Sequence, residues 1–202
     1  MQLIFYHIPK TGGTAVVRSL EKAGMSHQRI TFEDEYKQSD ADMISSHWAT
    51  LDMPGYRVTW IRHPVDVFYS GLNMYVNSNN TFANGKKLTK GYVPVKTGEI
   101  IMDWIEVGTK TAIDRVLAGA YDSDYVFPNP FLLPDWSTFD FIGRHTHHDT
   151  DLRLLGEQFN LNINPLKKNV ARPYETMYRR NEIRRYFSAA VKEYKKVWHN
   201  IR

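Results

Sequence analysis

The apolar run Leu3-Ile4-Phe5 passes directly into Tyr6-His7-Ile8-Pro9-Lys10-Thr11-Gly12-Gly13-Thr14, and the helix-compatible Ala15-Val16-Val17-Arg18-Ser19-Leu20 follows at once. That order reads as a strand, a tight loop and a helix N-terminus. It is also how a chain builds an oxyanion cradle. The pair Gly12 and Gly13 lets backbone N–H groups converge, and the first helical turn adds its unpaired donors and dipole. Lys10 supplies a mobile positive charge beside the hydroxyls of Thr11 and Thr14. A phosphate or sulfate is the expected guest. The lysine precedes the glycines, so the full Walker pattern, in which it follows them, is not met.

The 202 residues suit a single domain spanning 1–202, and 42% hydrophobic with 24% charged residues is an ordinary globular balance. There is no cysteine, which excludes disulfides, thiol catalysis and cysteine-held metal and fits a reducing compartment. The first strand opens at Leu3, no leader is expected in front of it, and no stretch approaches the roughly 20 continuous apolar residues of a membrane span. The net charge of +4 points weakly to anionic ligands. Aromatic residues do not interleave with the scattered lysines as a nucleic-acid platform, so no nucleic-acid partner is expected.

Strand and helix alternate along the chain. Leu3 to Ile8 is a buried strand, residues 14–24 a helix ending at Gly24, and Gln28 to Phe32 and Ala41 to Ser45 are weaker strands. Tyr56 to Arg62 is a clear strand, Pro64 stands where a helix tolerates a missing N–H, and Val65, Phe68, Tyr69, Leu72, Tyr75 and Val76 recur at helical spacing. Helical material around Ile101 to Leu117 breaks near Gly108. Phe139 to Arg144 is a further strand, a helix carries Leu152, Leu155 and Phe159, and a last helix runs from about Glu182 to His199. This alternation favours a three-layer α/β domain with a mainly parallel central sheet, whose ligands gather at the C-terminal ends of the strands. Lys10, His47 and Arg62 then share one edge.

The segment Pro9-Lys10-Thr11-Gly12-Gly13-Thr14 resembles the 5′-phosphosulfate loop of sulfotransferases that use 3′-phosphoadenosine-5′-phosphosulfate (PAPS), in the form typical of carbohydrate sulfotransferases. The resemblance implies a P-loop-like nucleotide-binding architecture and a soluble, cytoplasmic relative of enzymes that are often membrane-anchored. Val58 to Ser70 resembles the family's 3′-phosphate segment, which assigns Arg62 and Ser70 to that phosphate. A planar guanidinium and a hydroxyl two turns into the helix are suited to it. Met43 to Trp48 resembles the segment that bears the general base in uronosyl 2-O-sulfotransferases, with Ser46-His47 where a Gly-His pair is common. His47, with an ordinary imidazole pKa near 6–7, would be the base; a hydrogen-bonded histidine at a strand end is the plain alternative. More loosely, the resemblance adds Arg144 and Asn169 as cofactor contacts.

The implied reaction is in-line sulfuryl transfer to an acceptor hydroxyl on a saccharide or small polar molecule. Lys10 and the loop N–H groups would stabilise the leaving phosphate and His47 would deprotonate the acceptor. A nucleotide kinase-like phosphotransferase is the alternative enzyme, and a non-catalytic nucleotide- or glycan-binding module the alternative outside enzymology. Residues 77–98 suit acceptor contact and a solvated loop equally. His145, His147 and His148 form a polar cluster whose spacing specifies no coordination, so no metal is expected.

Overall fold

Leu3, Ile4 and Phe5 are all buried, as a strand covered on both faces requires, and the strand they form is the middle one of a five-stranded sheet. The computed structural model describes residues 1–30, 39–47, 54–76, 94–129, 135–166 and 178–201. Its strands are β1 (Leu3–Tyr6), β2 (His27–Arg29), β3 (Met43–Ser46), β4 (Tyr56–Ile61) and β5 (Phe141–Arg144). Its α-helices are α1 (Gly13–Lys22), α2 (Pro64–Val76), α3 (Val95–Val107), α4 (Thr109–Leu117), α5 (His148–Gln158), α6 (Arg180–Tyr186) and α7 (Ser188–Asn200). The strand order is β2-β3-β1-β4-β5 and every pairing is parallel. This is an α/β domain with a parallel central sheet flanked by helices.

The register fixes what meets at the sheet's upper edge. Tyr6 stands opposite Ser46 on one side and Thr59 on the other, so β1 and β3 end at one level and β4 runs two residues further. The connection from β1 leads toward β2 while that from β4 leads toward β5. In open parallel sheets, ligands gather at such a point of divergence, outside the C-terminal ends of adjacent strands.

The chain divides into two compact units, one of residues 1–62 and 135–170, the other of residues 63–134 and 171–200. In the first, Leu3, Phe5, Met43, Val58 and Trp60 pack with Val16, Val17 and Leu20 of α1 and Leu152 and Leu155 of α5. Ile4 and Ile44, half a pleat out of phase, pack with Ile30. Each such burial contributes about 1.5–3 kcal/mol. In the second unit Phe68 of α2 meets Trp104 of α3 and Phe187 at ring separations of 5.6 and 5.2 Å.

Phe187 corrects one expectation. The single helix expected over 182–199 is two helices, because Phe187 leaves helical geometry at φ −88°, ψ 27° and buries its ring. The strand expected over 28–32 is β2, displaced to His27–Arg29, and residues 31–38 lie outside the described residues.

Candidate active site

The loop after β1 is shaped by its backbone. Lys10 takes φ 67° and Gly12 φ 99°, both left-handed, and Gly12 caps α1 without a side-chain hydrogen bond. Gly13 cannot carry a side chain in this conformation: a Cβ there would lie 2.1 Å from Cδ2 of His7. The carbonyl of Gly12 accepts from the N–H groups of Ala15 and Val16. Among the described residues no group accepts from the N–H of Thr11, Gly12, Gly13 or Thr14, and the first turn of α1 holds no acidic residue. Donors and helix dipole are thus left for an anion.

The threonines divide their work. The buried Thr11 hydroxyl donates to the Ile8 carbonyl at 2.8 Å and braces the loop, while Thr14 is exposed at the start of α1. Lys10 is half-buried, and its ammonium is held below the usual lysine range by burial first and by the neighbouring Arg62 second. Arg62 Nη1 donates to the Lys10 carbonyl at 3.1 Å, which ties the end of β4 to the loop.

His7 and His47 close the other side. The His7 ring stacks on Phe5 at 5.4 Å and lies 4.7 Å from the His47 ring. His47 Nδ1 is 2.5 Å from the His7 carbonyl. A carbonyl only accepts, so Nδ1 carries the proton and Nε2 keeps the lone pair. Burial pushes His47 down to about 4 against the opposing pull of that hydrogen bond, and Arg29 adds to the depression. His7 is held well below the histidine range by burial first and then by the neighbouring His47, Arg29, Lys10 and His27. Both rings are neutral near pH 7.

The remaining sequence candidates are distributed as follows. Arg144 is engaged in a two-pronged ion pair: Nε and Nη2 donate to the two carboxylate oxygens of buried Asp151 at 2.9 and 2.6 Å, and its N–H donates to the same carboxylate. The pair joins β5 to α5. Ser70 is half-buried in the second turn of α2, in the other compact unit. Asn169 and residues 77–93 lie outside the described residues, and Lys96, from the described end of the expected acceptor segment, places its ammonium 4.6 Å above the Tyr125 ring.

Two features beside the loop have no periodic signal that sequence reading could use. His145 and His148 approach Gly12, their ring atoms lying 3.3 and 3.9 Å from where its Cβ would stand. His148 is also edge-on to Trp60 at 6.0 Å. On α1, Glu21 contacts His27 Nδ1 at 2.9 Å, and His27 Nε2 contacts the Ser45 hydroxyl at 2.8 Å, a chain that links α1 to β2 and β3. Ser45 is buried within the sheet, so this chain braces the fold beneath His47.

Among the described residues no group of three or more His, Cys, Asp or Glu side chains is placed to hold a metal ion. No described helix is long and apolar enough to cross a membrane. Set against known proteins, the chain matches no protein-family model, no curated protein and no solved structure.

Proposed function

We propose that this protein transfers a sulfuryl group from 3′-phosphoadenosine-5′-phosphosulfate to a hydroxyl of a saccharide or small polar acceptor, with a P-loop-like use of the loop after β1. One observation carries the reading. The loop is gripped from both sides by side chains with chemistry to offer: Arg62 bonds the Lys10 carbonyl and His47 bonds the His7 carbonyl, so cation and base flank the same unpaired N–H groups.

The roles follow from the chemistry of each group. The N–H groups of Thr11 to Thr14 and the Lys10 ammonium are preorganised donors for charge that grows on a leaving phosphate oxygen. The lowered pKa of Lys10 makes it a readier proton donor than an ordinary lysine. His47, neutral and with its lone pair on Nε2, takes the proton of the acceptor hydroxyl as that oxygen attacks sulfur. The donor supplies the sulfuryl group and departs as adenosine 3′,5′-bisphosphate. Arg62 and, on the sequence pattern, Ser70 hold the 3′-phosphate. The engagement of Arg144 with Asp151 gives it a bracing role.

The decisive experiment is a transfer screen with sulfur-labelled donor against saccharides, phenols and alcohols, in parallel with γ-labelled ATP and magnesium. Labelled acceptor and adenosine 3′,5′-bisphosphate in the first arm are expected. Label transfer only from ATP would establish the kinase alternative, and none from either donor would leave a binding module.

A further inference from the structure

Helices α6 and α7 meet at Phe187, where the inward turn of that ring bends the chain. At the bend lies a shallow depression of about 610 Å³, lined among others by Asn181, Arg184 and Arg185 of α6 and Ser188, Lys192 and Lys195 of α7. It belongs wholly to the unit of residues 63–134 and 171–200, while the Lys10 loop belongs to the other.

The charges here are sorted. Residues 178–201 carry Arg179, Arg180, Arg184, Arg185, Lys192, Lys195 and Lys196 against two carboxylates, Glu182 and Glu193. Arg179 pairs with Asp114 and Glu182, Arg180 with Asp66, and Lys196 with Glu193. The other four cations are exposed, have no carboxylate partner among the described residues, and all line the depression. Their mutual repulsion is unfavourable until an anion enters. Beside them, His63 is held below the histidine range by burial and, against the pull of Asp66, by Arg184, Arg180 and Lys195.

The lining also limits what kind of anion fits. The Asn181 amide and the Ser188 hydroxyl add uncharged hydrogen-bonding groups, and Ser188 opens a helix of 13 residues whose N-terminal dipole is positive. No aromatic ring is among the lining residues, so stacked nucleic-acid bases find no platform. The lining side chains are polar or charged apart from the buried Val191, so no apolar side chain projects from the depression to enter a bilayer. The volume lies within the range of about 300–1,000 Å³ usual for small-ligand sites.

We propose that this depression binds a compact polyanion: two or more sulfate or phosphate groups carried on one small sugar-like or polyol-like scaffold. The site is independent of the transfer reaction and stands whether or not the protein is a sulfotransferase.

Isothermal titration of the full chain with sucrose octasulfate and with inorganic tripolyphosphate tests it. The Lys10 loop attracts similar anions, so the titrations are run in parallel on Lys10→Ala/Arg62→Ala protein. One equivalent of at least one probe is expected to bind that variant. Adding Arg184→Ala and Lys195→Ala should weaken binding at least about tenfold, as for loss of charge-assisted hydrogen bonds. Thermal melts confirm that the exposed substitutions leave the fold intact. A preference for octasulfate assigns a sulfated saccharide, and a preference for tripolyphosphate a phosphate compound. Unchanged affinity after Arg184→Ala/Lys195→Ala, or no binding once the Lys10 loop is disabled, overturns the proposal. So does tighter binding of a short single-stranded DNA or of phosphatidylserine vesicles than of either compact probe.

Discussion

Arg62 donates through Nη1 to the main-chain carbonyl of Lys10, 52 positions earlier in the chain, at 3.1 Å. One guanidinium edge thereby sets the loop, and in the proposed reaction the same planar group meets the donor's 3′-phosphate. Adenosine 3′,5′-bisphosphate should therefore raise the melting temperature more than adenosine monophosphate, since the added 3′-phosphate meets Arg62 and ligands stabilise in proportion to their preference for the native state. Arg62→Ala should erase most of the difference. Equal shifts in the parent protein, read by differential scanning fluorimetry, would remove the 3′-phosphate assignment.

Lys10 separates binding from chemistry. In the proposed reaction its ammonium is one of several donors to the phosphate, and the one suited to charge that appears as the leaving group departs. Lys10→Ala should lower single-turnover transfer by roughly 100- to 1,000-fold, the usual loss of one preorganised donor. Bisphosphate affinity should fall much less. Parallel losses in the two measurements would make Lys10 a ground-state ligand alone.

Gly13 and His7 occupy space that only one side chain can fill. Gly13→Ala forces a methyl to within 2.1 Å of the His7 ring and should destabilise the protein by about 1–3 kcal/mol. His7→Ala removes the obstacle, so the double variant should be less destabilised than the sum of the single changes. Urea unfolding of the four proteins gives the coupling directly. Additive effects would mean that the loop already has room to move away from His7.

How much of this could be read from the sequence depends on whether the signal is local. The turn from β1 into α1 is written in consecutive residues, an apolar run followed by two glycines, and the start of α2 is marked by Pro64 directly after a strand. The break at Phe187 is not written that way. Ile183, Phe187, Ala190 and Val191 keep helical spacing through it, and the bend depends on packing of Phe187 against Phe68, far away in sequence. Arg144 is similar. A guanidinium at the end of a late strand reads as a ligand-binding group, and its ion pair with Asp151 appears only once α5 folds back onto β5. His47 is legible as a strand-end histidine, but its tautomer is set by the His7 carbonyl, which arrives from a different strand, and its depressed pKa comes from burial against the opposing pull of that hydrogen bond.

That depression of His47 gives the most exposed prediction. The base must be deprotonated to act, so transfer to an aliphatic or sugar alcohol should be level from about pH 6 to 8 and fall only as the pH drops toward about 4, below the range of an ordinary histidine. Stability carries the same sign. The unfolded chain protonates His47 near 6.5 and the folded chain only near 4, so the stability is full above 6.5 and is lost as the pH falls through that window. Between pH 7 and pH 5, His47 alone accounts for a loss of about 2 kcal/mol. His47→Ala should cut single-turnover transfer by roughly 100- to 10,000-fold, leave bisphosphate affinity nearly unchanged, and reduce the pH dependence of urea unfolding by the His47 share, that of His7 remaining. Single-turnover rates on stopped samples, taken before acid unfolding sets in, and unfolding curves at pH 7 and 5 give both readouts. A rate limb near pH 6.5 would show that His47 is not buried as described. Near-parent transfer by His47→Ala would move the base elsewhere, with His7, 4.7 Å away, the next residue to replace.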